Sequence, residues 1–105
     1  MAAPAIPKNL IKIGEVLRQQ RKLRHLTQKQ LAAKVNVSQC YLAQIEKGRR
    51  LVSLPILEKF SNYFEMPLGI LFFLTLDSDD VCTSKKKSFN QIAPAIYAMI
   101  EKFFL

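Results

Sequence analysis

Two helix-start signals lie only eleven residues apart in this sequence, at Thr27 and Ser38, and they restrict the folds open to it. Thr27 followed three residues later by Gln30 forms a capping box, in which each side chain bonds to the other residue's backbone N–H. Ser38 is a favourable N-cap for a second helix. The spacing leaves room for about two helical turns and a tight break. The sequence therefore predicts a short helix, a tight turn and another short helix.

Three further signals support this unit. Each start is flanked by apolar residues at the spacing of a hydrophobic staple, Leu26 with Leu31 and Val37 with Leu42. Asn36 lies in the predicted break, and asparagine tolerates the left-handed backbone that a tight turn needs. Gly48 is a natural residue to follow the last turn of the second helix. We therefore expect the second helix to end just before Gly48.

The segment before this unit has the pattern of a longer helix. Residues 1–8 contain two prolines and are expected to form a flexible arm. Asn9 is expected to cap a helix that runs to about Arg24. One face of that helix is marked at helical spacing by Leu10, Ile13, Leu17 and Arg21, with Val16 beside them. The break that follows contains His25.

Downstream, the pattern predicts more helices and no strand. Ser53 is expected to cap a helix with Pro55 in its first turn and an apolar stripe of Leu54, Leu57, Phe60 and Phe64. Pro67 begins a very apolar turn or two. Residues 77–90 are expected to form a polar linker, and residues 91–105 an amphipathic helix with Pro94 in its first turn. The predicted fold class is all-α.

The charge of the chain is concentrated in its first half. Residues 1–50 hold eleven lysines or arginines and two acids, whereas residues 51–105 hold five basic residues and six acids. The net charge of +8 therefore belongs to one half of the sequence. Such asymmetry indicates a polyanionic partner, either nucleic acid or an anionic membrane. A segment that binds a membrane surface carries basic and apolar residues together. Here the basic half of the sequence is not itself the apolar half, which favours nucleic acid.

A helix that follows a tight turn and starts with short polar side chains is suited to the DNA major groove. The residues expected to face outward from the second helix are Gln39, Cys40, Ala43, Gln44 and Lys47. A glutamine amide donates and accepts together, which matches the edge of adenine. Gln28, at the start of the helix that Thr27 caps, is placed to hold a phosphate oxygen. Lys47, Arg49 and Arg50 suit backbone phosphates.

At these residues, LTQKQLAAKVNVSQCYLAQIEKGRR, the chain resembles the lambda-repressor-like helix-turn-helix proteins, the Cro/cI or XRE family. The resemblance extends from about Ile13 to Phe73, and PILEKFSNYFEMPLGILF is similar to the last two helices of that family. It implies a five-helix DNA-binding domain, placed here at residues 9–76, with an additional C-terminal helix. It also implies that the chain is a transcriptional regulator whose partner is double-stranded DNA.

The resemblance also implies roles for single residues. Gln28 would anchor a phosphate and Arg21 would form a buried ion pair with Glu46. The residues implied at the base edges and their rim are Gln39, Cys40 and Gln44, with Ser38 and Tyr41. Asn36 stands where the family usually has glycine, and Cys40 stands where a polar or basic residue is commoner.

Other chemistries find little support in the sequence. His25 is the single histidine, the carboxylates are scattered and there is no glycine-rich phosphate loop, so we expect neither an enzyme nor a cofactor. Cys40 and Cys82 are far apart, which favours a reducing cytoplasm and no zinc site. Cys40 is read as a small groove-facing side chain rather than a redox switch. The longest apolar stretch, Leu68 to Leu76, is too short to cross a membrane.

The apolar C-terminus leaves two alternatives open. The terminal helix either packs back on its own domain or forms a two-fold dimer interface. The dimer is favoured because one unit contacts too few base pairs to be selective, and its expected interface residues are Leu71, Phe72, Ile96, Met99, Ile100 and Phe103. We therefore expect a repressor that binds a pseudo-palindromic operator as a homodimer. The alternative is an antitoxin-like module whose C-terminus binds a partner protein, with DNA binding secondary.

Overall fold

The structure is a computed structural model that describes residues 8–76 and 82–104. All regular structure in these two ranges is helical, which confirms the predicted all-α class. The elements in chain order are α1 (Lys8–Leu23), α2 (Gln28–Lys34), α3 (Gln39–Glu46), α4 (Leu54–Phe64), α5 (Leu68–Phe73), a 3-10 turn (Thr83–Lys85) and α6 (Lys86–Phe104).

One hydrophobic core joins α1 to α5. The five helices and the turns between them contribute side chains that are less than a tenth exposed: Ile13, Val16, Leu17, Leu31, Ala32, Val35, Leu42, Ile45, Leu57, Phe60, Phe64, Met66 and Leu71. Burying a large apolar side chain of this kind contributes about 1.5–3 kcal/mol. The core therefore fixes the orientation of α3, whose opposite face stays in solvent.

The two predicted helix starts form with the expected caps. Thr27 Oγ1 accepts from the backbone N–H of Gln30 at 3.1 Å, and Gln30 Oε1 accepts from the backbone N–H of Thr27 at 2.9 Å. Ser38 Oγ accepts from the backbone N–H of Tyr41 at 3.0 Å. A cap of this type contributes about 1 kcal/mol, so local sequence alone biases both helices to begin here.

The breaks around α2 and α3 use left-handed backbone. Asn36 has φ = 57°, which confirms the conformation expected in the tight turn, and Gly48 has φ = 70°. After α3, Gly48 N–H donates to the carbonyl of Ile45 at 3.0 Å and Arg49 N–H donates to the carbonyl of Gln44 at 3.0 Å. These two bonds form a Schellman motif. They end α3 and direct the chain away at Arg49.

Gly14 allows α1 and α3 to approach closely. A Cβ atom at this position would lie 1.9 Å from the carbonyl oxygen of Ile45 and 3.3 Å from the Cα of Glu46. Only glycine fits against backbone at that separation. Gly14 therefore sets the spacing of the two helices, a role that no local sequence signal predicts.

Arg24 braces the end of α4 against α1. Its guanidinium lies 4.5 Å from the centroid of the Phe64 ring and donates to Gln20 Oε1 at 2.8 Å and to the carbonyl of Phe64 at 3.1 Å. Burial lowers the pKa of Arg24, while neighbouring Tyr63 and Glu65 oppose that shift. The stacked and hydrogen-bonded group holds a carbonyl that the helix end leaves without an intrahelical partner.

Two predictions about helix termini were wrong. The helix start predicted at Asn9 differs from the structure, because α1 already includes Lys8, and a local capping signal only biases where a helix starts. Residues 1–7 of the predicted arm lie outside the described residues. Leu54 does not belong to the buried stripe of α4 and is 56% exposed. It is the first helical residue, one turn before Leu57, and lies beyond the edge of the core.

The predicted linker at 77–90 and helix start at 91 were also wrong. Residues 77–81 lie outside the described residues, and the 3-10 turn and α6 occupy the rest of that interval, with α6 beginning at Lys86. Pro94 is therefore inside the helix rather than in its first turn. An internal proline removes one N–H bond and crowds the carbonyl of Asn90, which costs about 3 kcal/mol. The other bonds of a long helix and its buried residues Ala93 and Ile100 offset this cost.

One face of α6 packs back on the domain. Ala93 and Ile100 are buried, and Phe104 packs against the core. The Tyr97 hydroxyl donates to the carbonyl of Leu76 at 3.0 Å, and its ring lies 5.1 Å from that of Phe73. The helix is therefore docked at the end of α5.

Candidate nucleic-acid interface

The solvent-facing side of α3 carries the residues predicted to contact bases. Gln39, Cys40 and Gln44 are exposed, whereas Leu42 and Ile45 on the opposite side are buried in the core. Gln44 Nε2 lies 3.9 Å from Cys40 Sγ, one helical turn away. The fold therefore places two amides and one thiol on the solvent-facing side of one helix, a chemistry suited to base edges in a groove.

The rim of this surface is formed by Ser38, Tyr41 and Arg50. The Ser38 hydroxyl caps α3 and remains exposed. Tyr41 is half-buried, and the Arg50 guanidinium lies 4.8 Å from the centroid of its ring. Stacking on an aromatic ring reduces the freedom of an arginine side chain. Arg50 is thereby held beside the base-facing residues, at the edge of an open recess that Val37 and Ile56 also line.

The basic residues after α3 extend the positive surface. Lys47, Arg49 and Arg50 are all at least partly exposed and lie within four positions of one another. The Schellman motif at Gly48 turns the chain here, so these cations are presented where α3 ends. Exposed cations in this arrangement can neutralise successive phosphates of a duplex.

The ion pair implied between Arg21 and Glu46 is present. Arg21 Nε donates to Glu46 Oε2 at 2.9 Å, and Arg21 Nη2 donates to Glu46 Oε1 at 2.9 Å. Arg21 Nη1 also donates to the carbonyl of Leu26 at 2.8 Å. The side chains are 11% and 2% exposed, so the pair is nearly desolvated. Breaking a buried pair by removing one partner typically costs about 3–5 kcal/mol, and this pair therefore fastens α1 to α3.

Gln28 makes a contact that was not predicted from the sequence. It is half-buried at the start of α2, and its Nε2 donates to Glu46 Oε1 at 3.2 Å. The two residues are 18 positions apart on different helices. No periodicity in the sequence signals such a pair, because it depends on how α2 and α3 pack.

A second surface of interest is an apolar stripe on α6. Its members recur at alternating intervals of three and four residues, and Ile92, Met99 and Phe103 are 55%, 53% and 67% exposed. Phe89 and Ile96 are half-buried. We call these five residues the α6 stripe. Their spacing is that of a helix which packs against another helix along a narrow seam.

The predicted dimer interface was wrong at two residues, Leu71 and Ile100. Leu71 is 0% exposed and Ile100 is 1% exposed, so neither is accessible to a partner. The reason is that α6 docks with Ile100 facing inward, while Leu71 lies on the side of α5 that belongs to the core. Phe72 is half-buried, and the other predicted residues belong to the α6 stripe.

The described ranges contain no group of three His, Cys, Asp or Glu side chains arranged to hold a metal ion. No helix within them is long and apolar enough to cross a membrane. Cys40 and Cys82 are both exposed free thiols.

Comparison with known sequences points to the same region. A family model described as helix-turn-helix matches residues 17–71, which include α2, α3 and α4. The "ImmF control region 10 kDa protein" of Bacillus phage phi105 is 33% identical over 60 residues, which cover 57% of this chain and 67% of that protein.

Comparison with solved structures finds two crystal structures of ClgR, the clp gene regulator of Corynebacterium glutamicum. One is 26% identical with a TM-score of 0.60 and covers 70% of this chain and 94% of that chain. The other is 18% identical with a TM-score of 0.60 and covers 97% of this chain and all of that chain. The second comparison concerns the fold alone, and it extends over nearly the whole chain.

Proposed function

The chain belongs to the XRE-type helix-turn-helix family of DNA-binding transcriptional regulators, and on that basis we propose that it is a repressor that binds a pseudo-palindromic operator as a homodimer. The family and its fold are those of regulators rather than enzymes. The observation that carries the proposal is the solvent-facing side of α3, where exposed amide side chains lie beside an arginine stacked on Tyr41. Its place of action would be the cytoplasm.

In this proposal α3 lies in the major groove. Gln39 and Gln44 contact base edges with amides that donate and accept together, which favours adenine. Cys40 contributes a small apolar contact between them. Ser38 and Tyr41 lie at the rim, where they contact the sugar-phosphate backbone or the outermost base.

The phosphate contacts would come from both sides of that groove. Gln28 offers an amide N–H at the start of α2, and Lys47, Arg49 and Arg50 offer charges beyond the end of α3. Contacts on both flanks fix the register of a helix in the groove without specifying sequence. Base readout is then left to Gln39, Cys40 and Gln44.

A second copy of the chain would cover the α6 stripe. Isolated apolar residues on a surface are common, but five at seam spacing on one helix suit a partner helix. Isologous pairing of two α6 helices would bury Met99 and Phe103 of each chain, with Phe72 at the edge of the contact. Two domains related in this way would contact half-sites about 34 Å apart on one face of DNA.

Sedimentation of the purified chain tests the dimer. We expect a dimer at micromolar concentration, and a monomer for Met99→Glu, since that change places a charge in the centre of the seam. Ala98→Glu is the matched control, because residue 98 is also exposed on α6 but lies outside the α6 stripe. A monomeric wild-type chain, or equal dissociation by both variants, would refute the homodimer.

The same surface supports one alternative, the antitoxin-like module. Its specific support is the exposure of the α6 stripe, which a foreign helix would cover as well as a second copy. A chain that is insoluble alone and soluble only with a co-expressed partner would favour this alternative. A soluble dimer of the chain alone would contradict it.

A further inference from the structure

Glu46 accepts more hydrogen bonds than its ion pair requires. Its Oε2 accepts from Arg21 Nε, and its Oε1 accepts from both Arg21 Nη2 at 2.9 Å and Gln28 Nε2 at 3.2 Å. The carboxylate is almost fully buried, with 2% of the side chain exposed. This one group therefore joins the last residue of α3 to the first residue of α2 and to α1.

The contact determines how the Gln28 amide is oriented. A carboxylate only accepts hydrogen bonds, so the amide must turn Nε2 toward Glu46 and cannot turn Oε1 toward it. One of the two N–H groups of Nε2 is used in this contact, and the other is left to bond elsewhere. A glutamine side chain without such a neighbour presents its donor and acceptor ends interchangeably.

We infer that Glu46 is a positioning residue for DNA binding, which acts by holding the Gln28 amide so that its second N–H is presented to a phosphate oxygen. The inference rests on the phosphate contact proposed for Gln28. It requires neither the operator nor the homodimer. A reversed amide would present Oε1 to the phosphate, and two acceptors repel each other.

Arg21 makes this arrangement compatible with a polyanion. An unpaired carboxylate close to DNA phosphates would oppose binding by like-charge repulsion. The two bonds from Arg21 neutralise Glu46 and fix the plane of the carboxylate, so that Oε1 remains directed at Gln28. The pair therefore contributes an oriented acceptor without a net negative charge.

A purely structural role for Glu46 predicts a different pattern of effects. If Glu46 only braces the helices, its loss lowers DNA affinity whether or not residue 28 is glutamine. If it acts through Gln28, its loss matters only when Gln28 is present. A double-mutant cycle of Glu46→Gln and Gln28→Ala separates the two cases.

The probe is a labelled duplex of about 20 base pairs and random sequence, because a phosphate contact is independent of sequence. Binding is measured by fluorescence anisotropy at low salt, at a temperature where circular dichroism shows every variant folded. We expect Gln28→Ala and Glu46→Gln each to weaken binding about tenfold, the effect of one hydrogen bond to a charged group. In the Gln28→Ala background, Glu46→Gln should then change affinity less than about twofold.

Ile45→Val is the control for lost stability in α3. It removes one methylene from a buried residue beside Glu46 and leaves both Glu46 and Gln28 in place. We expect its affinity for the duplex to stay within about twofold of wild type. Additive effects in the cycle, or an equal loss of affinity in Ile45→Val, would overturn the positioning role.

NMR of the wild-type chain gives a test that needs no variant. One side-chain N–H of Gln28 should exchange slowly with water in the free protein, and the other should shift when the duplex is added. The inference would be overturned if neither the slow exchange nor the shift of the Gln28 side chain is seen while the backbone amides of α3 still shift on DNA addition. That result would leave the proposed base contacts of α3 and the homodimer unaffected.

Discussion

Replacing Gly14 with alanine is expected to destabilise this protein, although the same change usually stabilises a helix. At an unconstrained helical position, alanine in place of glycine contributes about 0.5–1 kcal/mol. At Gly14 the new Cβ would lie 1.9 Å from the carbonyl oxygen of Ile45 and 2.8 Å from its carbonyl carbon. Both atoms belong to the backbone of α3, so no change of side-chain rotamer relieves the overlap.

The size of the effect follows from what must move. α1 has to shift from α3 by about 1.5 Å before the Cβ moves from 1.9 Å to an ordinary contact distance of 3.4 Å, and a gap of that size forfeits about half or more of each dispersion contact. Overpacking of this kind typically costs about 1–3 kcal/mol. The Arg21–Glu46 pair spans the same two helices with bonds of 2.9 Å. Straining these bonds adds part of the roughly 3–5 kcal/mol that losing a buried pair costs. After subtracting the gain in helix propensity of about 0.5–1 kcal/mol, we expect a net loss of about 2–4 kcal/mol.

Urea unfolding followed by circular dichroism measures this loss. Gly69→Ala is the matched control, because Gly69 lies in α5 and a Cβ there would meet nothing within 4 Å. We expect the control to be as stable as wild type or slightly more stable. A Gly14→Ala chain that unfolds at the wild-type urea concentration would show that α1 and α3 are not in close contact at Gly14.

Three further predictions concern DNA binding and assembly. Gln39→Ala should cost about 1–3 kcal/mol of operator affinity and relax the preference at one base position, as measured by competition among operator variants; equal weakening for all sequences would exclude base readout by Gln39. Arg50→Ala should weaken binding to every duplex and reduce the slope of log affinity against log salt by about 1, and an altered preferred sequence would contradict its phosphate role. Met99→Glu should weaken operator binding, because its dimer dissociates as the protein is diluted, whereas Ala98→Glu should bind like wild type. Equal binding curves for the two variants in gel-shift titrations would argue against the α6 stripe as the dimer contact.

The helix-turn-helix unit could be predicted from the sequence because its determinants are local. The capping box at Thr27 and the cap at Ser38 act within a single turn, and Asn36 and Gly48 mark the left-handed positions directly. The face of α3 follows from helical periodicity once the start is known. The exposed position of Gln39 could therefore be predicted from the sequence alone.

The features that could not be predicted depend on contacts between distant segments. In the sequence, Gly14 looks like any other helical glycine, and only its contact with the α3 backbone shows why glycine is needed. The Gln28–Glu46 hydrogen bond likewise depends on how α2 and α3 pack. Pro94 misled the prediction for α6, since its local penalty was outweighed by the length and docking of the helix. The inward turn of Ile100 likewise depends on the docked position of α6.

Selection of genomic DNA fragments by the purified chain at near-physiological salt, followed by sequencing, tests whether the chain recognises an inverted repeat as a dimer. We expect enrichment of an inverted repeat whose half-sites lie about one helical turn apart, since two copies of α3 would enter successive major grooves on one face. Enrichment of single half-sites would contradict the dimer. Enrichment of no sequence would contradict base readout by α3, and would leave its basic flank as a non-specific contact to the DNA backbone.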